Sequence, residues 1–199
     1  MKRKNPYVAD SRTMLAKLKG YPARSVFKLE ELDQRCALLR QSMRVLDLGA
    51  APGSWTMYAA DKVGPVGLVV AVDLKPMTQA LPANVMAVQD DALSASEAAW
   101  THYAPFDLIL SDMAPNTSGS KIRDQTISFE LFNCALAVAE KLGKRNSDFV
   151  AKLFMSNNFR EAKSAVARAY ETVRVLRPEG TRQNSSEVYI VGKGRNGVT

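Results

Sequence analysis

From residue 44 to residue 192, apolar runs of strand length alternate with helix-length amphipathic stretches, and nothing constrains the fold of this chain more. Successive strands joined by helices need crossover connections, which place them parallel and bury them on both faces. The spacing predicts strands over Arg44–Leu48, Leu68–Asp73, 85–88, 107–111 and 148–153. Helices are predicted over Ser54–Val63, 95–103, 126–142 and 159–170. Strands over 172–176 and 187–192 follow with no helix between them, so a mostly parallel seven-stranded sheet should end in an antiparallel hairpin, with helices on both faces.

Ahead of this region, 12–18 reads as a short helix stopped by Gly20. Ser25 is placed to cap a helix running to about Leu39, with Val26, Leu29, Leu32 and Cys36 on one face. No composition shift, repeat or low-complexity linker divides the chain. It reads as one domain, 1–199, with a basic N-terminal segment and helix at 1–43 and an α/β core at 44–193.

Several classes of chemistry are excluded early. The chain has one histidine, His102, in a polar stretch, so neither an ordinary Ser-His-Asp triad nor a zinc site is supported, and no metal is expected. Cys36 and Cys134 stand alone, as in a reduced, cytoplasmic protein. The apolar runs are strand-sized and far too short to span a bilayer, and the basic start is not followed by the apolar segment of a secretory signal. No obligate protein partner is evident, and a monomer is expected. Chemistry here must run on carboxylates, lysines and a bound cofactor.

Charge is distributed unevenly. Residues 1–44 hold 11 Lys and Arg against 4 Asp and Glu, while 45–199 hold 16 of each. Residues 160–199 are again basic, leaving an acidic middle. A basic arm on a neutral body suits a polyanion such as nucleic acid.

In an open α/β sheet, ligands bind at the carboxyl ends of the strands. The ends here carry Asp47 with the turn 49–53, Asp73, Asp90 with Asp91, Asp112 and Lys152. The turn, Gly-Ala-Ala-Pro-Gly, lacks the third glycine of a dinucleotide fingerprint and suits a ligand without phosphates. Asp73 fits the paired hydroxyls of a ribose, and Asp91 an adenine amino group.

Three segments carry a resemblance: Asp-Leu-Gly-Ala-Ala-Pro-Gly-Ser-Trp at 47–55, Asp-Leu-Lys-Pro-Met at 73–77, and Ser-Asp-Met-Ala-Pro-Asn-Thr-Ser-Gly at 111–119. With Arg24-Ser25-x-Phe27-Lys28-Leu29 and Ser186-Glu187-Val-Tyr-Ile-Val, the chain resembles the FtsJ/RrmJ family of ribose 2′-O-methyltransferases from about residue 5 to 192. The resemblance implies a Rossmann-like sheet, S-adenosylmethionine as donor and structured RNA as acceptor. It implies donor contacts at Gly49, Gly53, Trp55, Asp73, Asp91 and Asp112, and a catalytic tetrad of Lys28, Asp112, Lys152 and Glu187.

A ribose hydroxyl holds its proton tightly. A lysine beside another cation and shielded from water can accept that proton, or it can stay charged and position the oxygen. Lys152, set in an apolar strand, is the hardest of the four to explain as structure, because burying an unpaired ammonium is costly. The expected substrate is a uridine of large-subunit ribosomal RNA. Transfer RNA is the alternative within the same chemistry, and a catalytically silent RNA-binding module the alternative outside it. The chain departs from the family pattern at 141–148, which lacks a Pro-Gly-Gly turn, and at 154–159, which lacks a glycine-containing loop.

Overall fold

The structure, a computed structural model, describes residues 11–94, 99–179, 181 and 186–197. Among these, α1 (Ser11–Leu18) and α2 (Val26–Cys36) precede β1 (Arg44–Leu48), α3 (Ser54–Val63), β2 (Leu68–Asp73) and β3 (Val85–Gln89). Then come β4 (Phe106–Ser111), α4 (Lys121–Leu142), β5 (Gly143–Phe154), α5 (Phe159–Ala169), β6 (Tyr170–Leu176) and β7 (Glu187–Arg195). The seven strands form one sheet in the order β3-β2-β1-β4-β5-β7-β6. The β1–β2, β2–β3, β1–β4 and β4–β5 pairs are parallel, and β7 runs antiparallel to both β5 and β6, giving the terminal hairpin.

Strand alternation divides the core into two layers. Leu46, Leu48, Val70 and Val72 pack with Phe132 of α4, Phe149 of β5 and Val166 of α5. Val45, Val69 and Leu110 pack on the other face with Leu29 and Leu32 of α2 and with Trp55 and Tyr58 of α3. All eight of the sheet residues just named are fully buried, each contributing about 1.5–3 kcal/mol. Asp47 breaks the pattern on the α2–α3 face: it is a fully buried acid in an otherwise apolar strand.

Several boundaries differ from the sequence expectation, each for a local reason. Helix α2 stops at Cys36 because the Asp33 carboxylate accepts the Leu38 and Leu39 N–H groups (2.9 and 2.8 Å) and Ala37 turns left-handed at φ 49°. Ser25 precedes it without a side-chain cap. Helix α4 begins at Lys121, five residues early, where Asp124 accepts both the N–H and the hydroxyl of Ser118 (2.9 and 2.8 Å) and braces the incoming loop. Strand β5 follows α4 directly from Gly143, with a register shift against β4 between Phe106 and Leu108, so no separate turn is needed there. Of the helix expected over 95–103, the described part, Ala99–Tyr103, is a 3₁₀ turn, as is Ala92–Ser94 ahead of it, and 95–98 lie outside the described residues. The basic residues Lys2, Arg3, Lys4 and Arg182 also lie outside them.

Candidate active site

The chain moves outward from β1 to β2 and β3, then returns to β4 on the other side of β1, and a crevice opens where the direction reverses. Its floor is the turn after β1. Gly49 takes φ +73°, and a Cβ there would lie 2.6 Å from the Met113 side chain, so the close approach of two loops requires glycine. Gly53 closes the turn at φ +104°, its N–H bonding back to the Ala50 carbonyl (2.7 Å).

Above that floor lies a cleft of about 360 Å³, a size suited to a nucleoside-like ligand. Gly49, Asp73, Asp91, Asp112 and Asn116 line it. Its charged lining is Asp73, Asp90, Asp91 and Asp112 against Lys75, so the cleft favours a cationic ligand and disfavours a pyrophosphate. The Asp73 oxygens accept the Ala51 and Lys75 N–H groups (2.9 and 2.8 Å), which fixes the carboxylate and leaves each oxygen a further lone pair. Asp90 accepts the Trp100 indole N–H (3.1 Å) and the Asp91 N–H (2.8 Å), whereas Asp91 accepts the Leu93 N–H (2.9 Å).

Two expected donor contacts stand off this lining. Trp55 is buried in the α2–α3 layer, where its indole N–H donates to the Ser25 carbonyl (2.9 Å) and its ring lies 5.7 Å from that of Tyr189. Gly53 faces the Met77 and Gln79 side chains of the loop after β2.

The four tetrad residues converge on the β4–β5–β7 side. Lys152 donates to the Asp112 Oδ1 (2.8 Å) and to the Asp112 carbonyl. Lys28 pairs with Glu187 at 2.5 Å, both side chains being mostly buried. Sequence reasoning missed the residue that joins the two pairs. Tyr189 donates its hydroxyl to the same Asp112 Oδ1 (2.7 Å), and Lys28 lies 5.9 Å from its ring centre. Period two along β7 would have found it: Tyr189 is two residues after Glu187, on the same face, and pairs in register with Lys152.

The charges act on the acids as this geometry dictates. Burial pushes the Asp112 carboxyl up, but Lys152, Lys28 and the two hydrogen bonds outweigh it and hold it below the ordinary range. Burial, reinforced by Asp112 and Glu187, raises the Tyr189 hydroxyl well above its usual value, so it stays a donor. Asp47, beneath both halves of the site, is pushed up to about 7 by burial, with Asp112 and Asp73 adding and a hydrogen bond from Thr56 (2.7 Å) opposing.

The chain matches FtsJ-like methyltransferases over residues 21–195. It is also 55% identical over 195 residues to a Sorangium cellulosum protein called ribosomal RNA large subunit methyltransferase E, covering 98% of this chain and 92% of that one. The chain belongs to the FtsJ-like methyltransferase family.

Among solved structures, a Plasmodium falciparum protein assigned as a ribosomal RNA methyltransferase superposes with a TM-score of 0.77 at 24% identity, over 89% of this chain and 100% of that one. Aeropyrum pernix fibrillarin, solved with S-adenosylmethionine bound, gives 0.60 at 15% identity over 90% and 73%. At those identities both likenesses concern the fold. As an FtsJ-like methyltransferase, the chain uses S-adenosylmethionine as donor. The acidic cleft, with its two-oxygen acceptor at Asp73, fits that cationic nucleoside.

Among the described residues no group of three or more His, Cys, Asp or Glu is placed to hold a metal, and no helix is long and apolar enough to cross a membrane. His102 is exposed beside Tyr103, Cys36 is buried, and both cysteines are free.

Proposed function

We propose that this methyltransferase modifies a ribose 2′-hydroxyl of large-subunit ribosomal RNA, with Lys28, Asp112, Lys152 and Glu187 as the catalytic group. The observation that carries this reading is a buried lysine at the boundary between an acidic donor cleft and a second, ion-paired surface. The donor supplies a sulfonium methyl, already electrophilic, so the chain need only hold an acceptor oxygen in line.

Lys152 directs two hydrogen bonds at Asp112, which leaves its remaining position, an N–H when charged or a lone pair when neutral, for that oxygen. Asp112 and Tyr189 prevent the lysine from swinging away, and Glu187 does the same for Lys28. The new bond joins the methyl carbon to the 2′-oxygen as the carbon–sulfur bond breaks. If Lys152 is neutral it takes the hydroxyl proton; if charged it positions the oxygen while water carries the proton away.

Gly49, Asp73, Asp91 and Asp112 would hold the donor, with Gly53 and Trp55 shaping the loop and helix beside it. Residues 1–43 would meet RNA phosphates through Lys17, Lys19 and their neighbours, although Leu29 and Leu32 tie α2 into the catalytic core. Neutralising Lys17 and Lys19 should flatten the salt dependence of RNA affinity, and parallel slopes would remove that role.

Transfer of tritiated methyl into large subunits, free ribosomal RNA and bulk transfer RNA tests the function. Label should enter large-subunit RNA and survive alkali in a dinucleotide, because a methylated 2′-oxygen cannot attack the adjoining phosphate. Label in a base, or in transfer RNA alone, would overturn it.

A further inference from the structure

Two unlike rims border the tetrad. On the α2 side stands Lys28, paired with Glu187. On the other side β5 leaves the sheet beside the first turns of α4, and three hydrogen bonds fix the chain there. Phe154 N–H donates to the Ser128 hydroxyl (2.9 Å), Met155 N–H to the Ser186 carbonyl (2.8 Å), and the Gln125 side-chain amide to the Met155 carbonyl (2.5 Å). Met155 is thereby held between α4 and the residue preceding Glu187. It remains 41% exposed. Ile122 lies three residues before Gln125, on the same face of α4 and nearer its start, and is 79% exposed. Single exposed apolar side chains are ordinary on protein surfaces. Here Met155 follows Lys152 by three residues and bonds to the residue before Glu187, Ile122 lies one turn from the Gln125 that bonds Met155, and neither is among the residues lining the donor cleft.

We propose that Met155 and Ile122 form the seat for the base of the target nucleotide, drawn out of its stack, with its ribose over Lys152. This rests on the ribose-methylation reading above. A ribose held by Lys152 must direct its base and its phosphates somewhere. The acidic cleft repels phosphates and is taken by the donor, so the base and the phosphates must lie outside it. The base has apolar faces, and a thioether beside a branched aliphatic chain offers an adaptable apolar surface. Loops and bulges of folded RNA have unstacked bases that can be splayed out onto a protein surface. The Met155 and Ile122 side chains carry no strong hydrogen-bonding group, and the Gln125 amide beside them is directed at the Met155 carbonyl, so the pair holds a base by its apolar face. Choice of nucleotide then falls to the folded RNA around it.

The test uses the full chain with the RNA that accepts methyl, once the modified nucleotide is mapped. Met155→Ala with Ile122→Ala should lower kcat/KM for RNA about tenfold, the loss expected when most of an apolar contact is removed. Donor affinity should stay unchanged, and Met155→Leu should retain activity. RNA lacking the base at that nucleotide should cost the wild type a similar factor and cost the double variant nothing more. An unchanged kcat/KM, weakened donor binding, or an abasic penalty equal in both proteins would overturn the seat. Absence of any transfer to RNA by the wild type in the same experiment would instead overturn the ribose reading beneath it.

Discussion

On the donor side of the cleft, carboxylates are held by N–H groups: Asp73 by two backbone amides, Asp90 by an indole and an amide. On the acceptor side, Asp112 and Glu187 each meet an ammonium, at 2.8 and 2.5 Å. The contrast is sharpest between two enclosed aspartates. Asp112, with Lys152 and Lys28 nearby, is held below the ordinary carboxylate range. Asp47, with one hydroxyl and two like charges for company, is raised to about 7. Enclosure is common to both; a cation is what decides the sign. The donor side thus presents negative charge to a cation that arrives, whereas the acceptor side carries its own compensation and stays fixed while an oxygen and a methyl are brought together.

The largest effect should come from cutting the acceptor side. Lys152→Ala should lower methyl transfer about 10²–10⁴-fold while donor affinity stays within about twofold, because the lysine serves the acceptor oxygen. Lys152→Gln, still able to donate to Asp112, should be equally inactive with its fold intact. Turnover and calorimetric donor binding check this, and a tenth of wild-type turnover in either variant would move the role to another group.

Asp47 tests the charge argument through stability. The folded protein keeps a proton on Asp47 that the unfolded chain releases above about pH 4. Unfolding therefore releases a proton between about pH 4 and 7, and stability falls as pH rises across that window, levelling above it. The full change is on the order of 4 kcal/mol. Asp47→Asn should remove this slope, matching wild type near pH 4 and exceeding it at pH 8 in urea denaturation. An equal difference at both pH values would mean the carboxyl is already charged.

On the donor side, Asp73→Ala should weaken S-adenosylmethionine binding by about 1.5–3 kcal/mol, the loss of charge-assisted hydrogen bonds to a ribose. Stability should change less than affinity, since Asp73 is only partly buried and its protein bonds are to local loop amides. Calorimetry on the folded variant with unchanged affinity would remove Asp73 from the donor site.

What was legible in the sequence followed from period and position. Strand alternation locates the seven strands, and the carboxyl-end rule picks out Asp73, Asp91, Asp112 and Lys152. Long-range relations were not legible. Nothing local says that Trp55 turns inward to Ser25 and Tyr189 and away from the cleft, since an aromatic after a glycine turn can face either way. The early start of α4 depends on Asp124 bracing Ser118, and a polar loop of the same composition without that bond reads identically. The sequence marks Asp47 only as a strand end, because burial of an acid is a property of the α2–α3 layer packed over it. Tyr189 was available from period two and was overlooked.

Tyr189 offers the finest test of where the two sides divide. Its hydroxyl and Lys152 share one Asp112 oxygen, at 2.7 and 2.8 Å, and Asp112 also lines the donor cleft. Tyr189→Phe keeps the ring against Trp55 and beneath Lys28 and removes only the hydroxyl. Loss of one buried hydrogen bond should cost about 0.5–1.5 kcal/mol of stability. If that bond sets the lysine's aim, turnover should fall about three- to tenfold while donor affinity holds, a split that lost packing would not produce. Unchanged turnover would show that Lys152 alone fixes Asp112. Weakened donor binding with normal turnover at saturation would assign Asp112 to the donor side, and the boundary would then run between Asp112 and Lys152, with the catalytic ion pair straddling it.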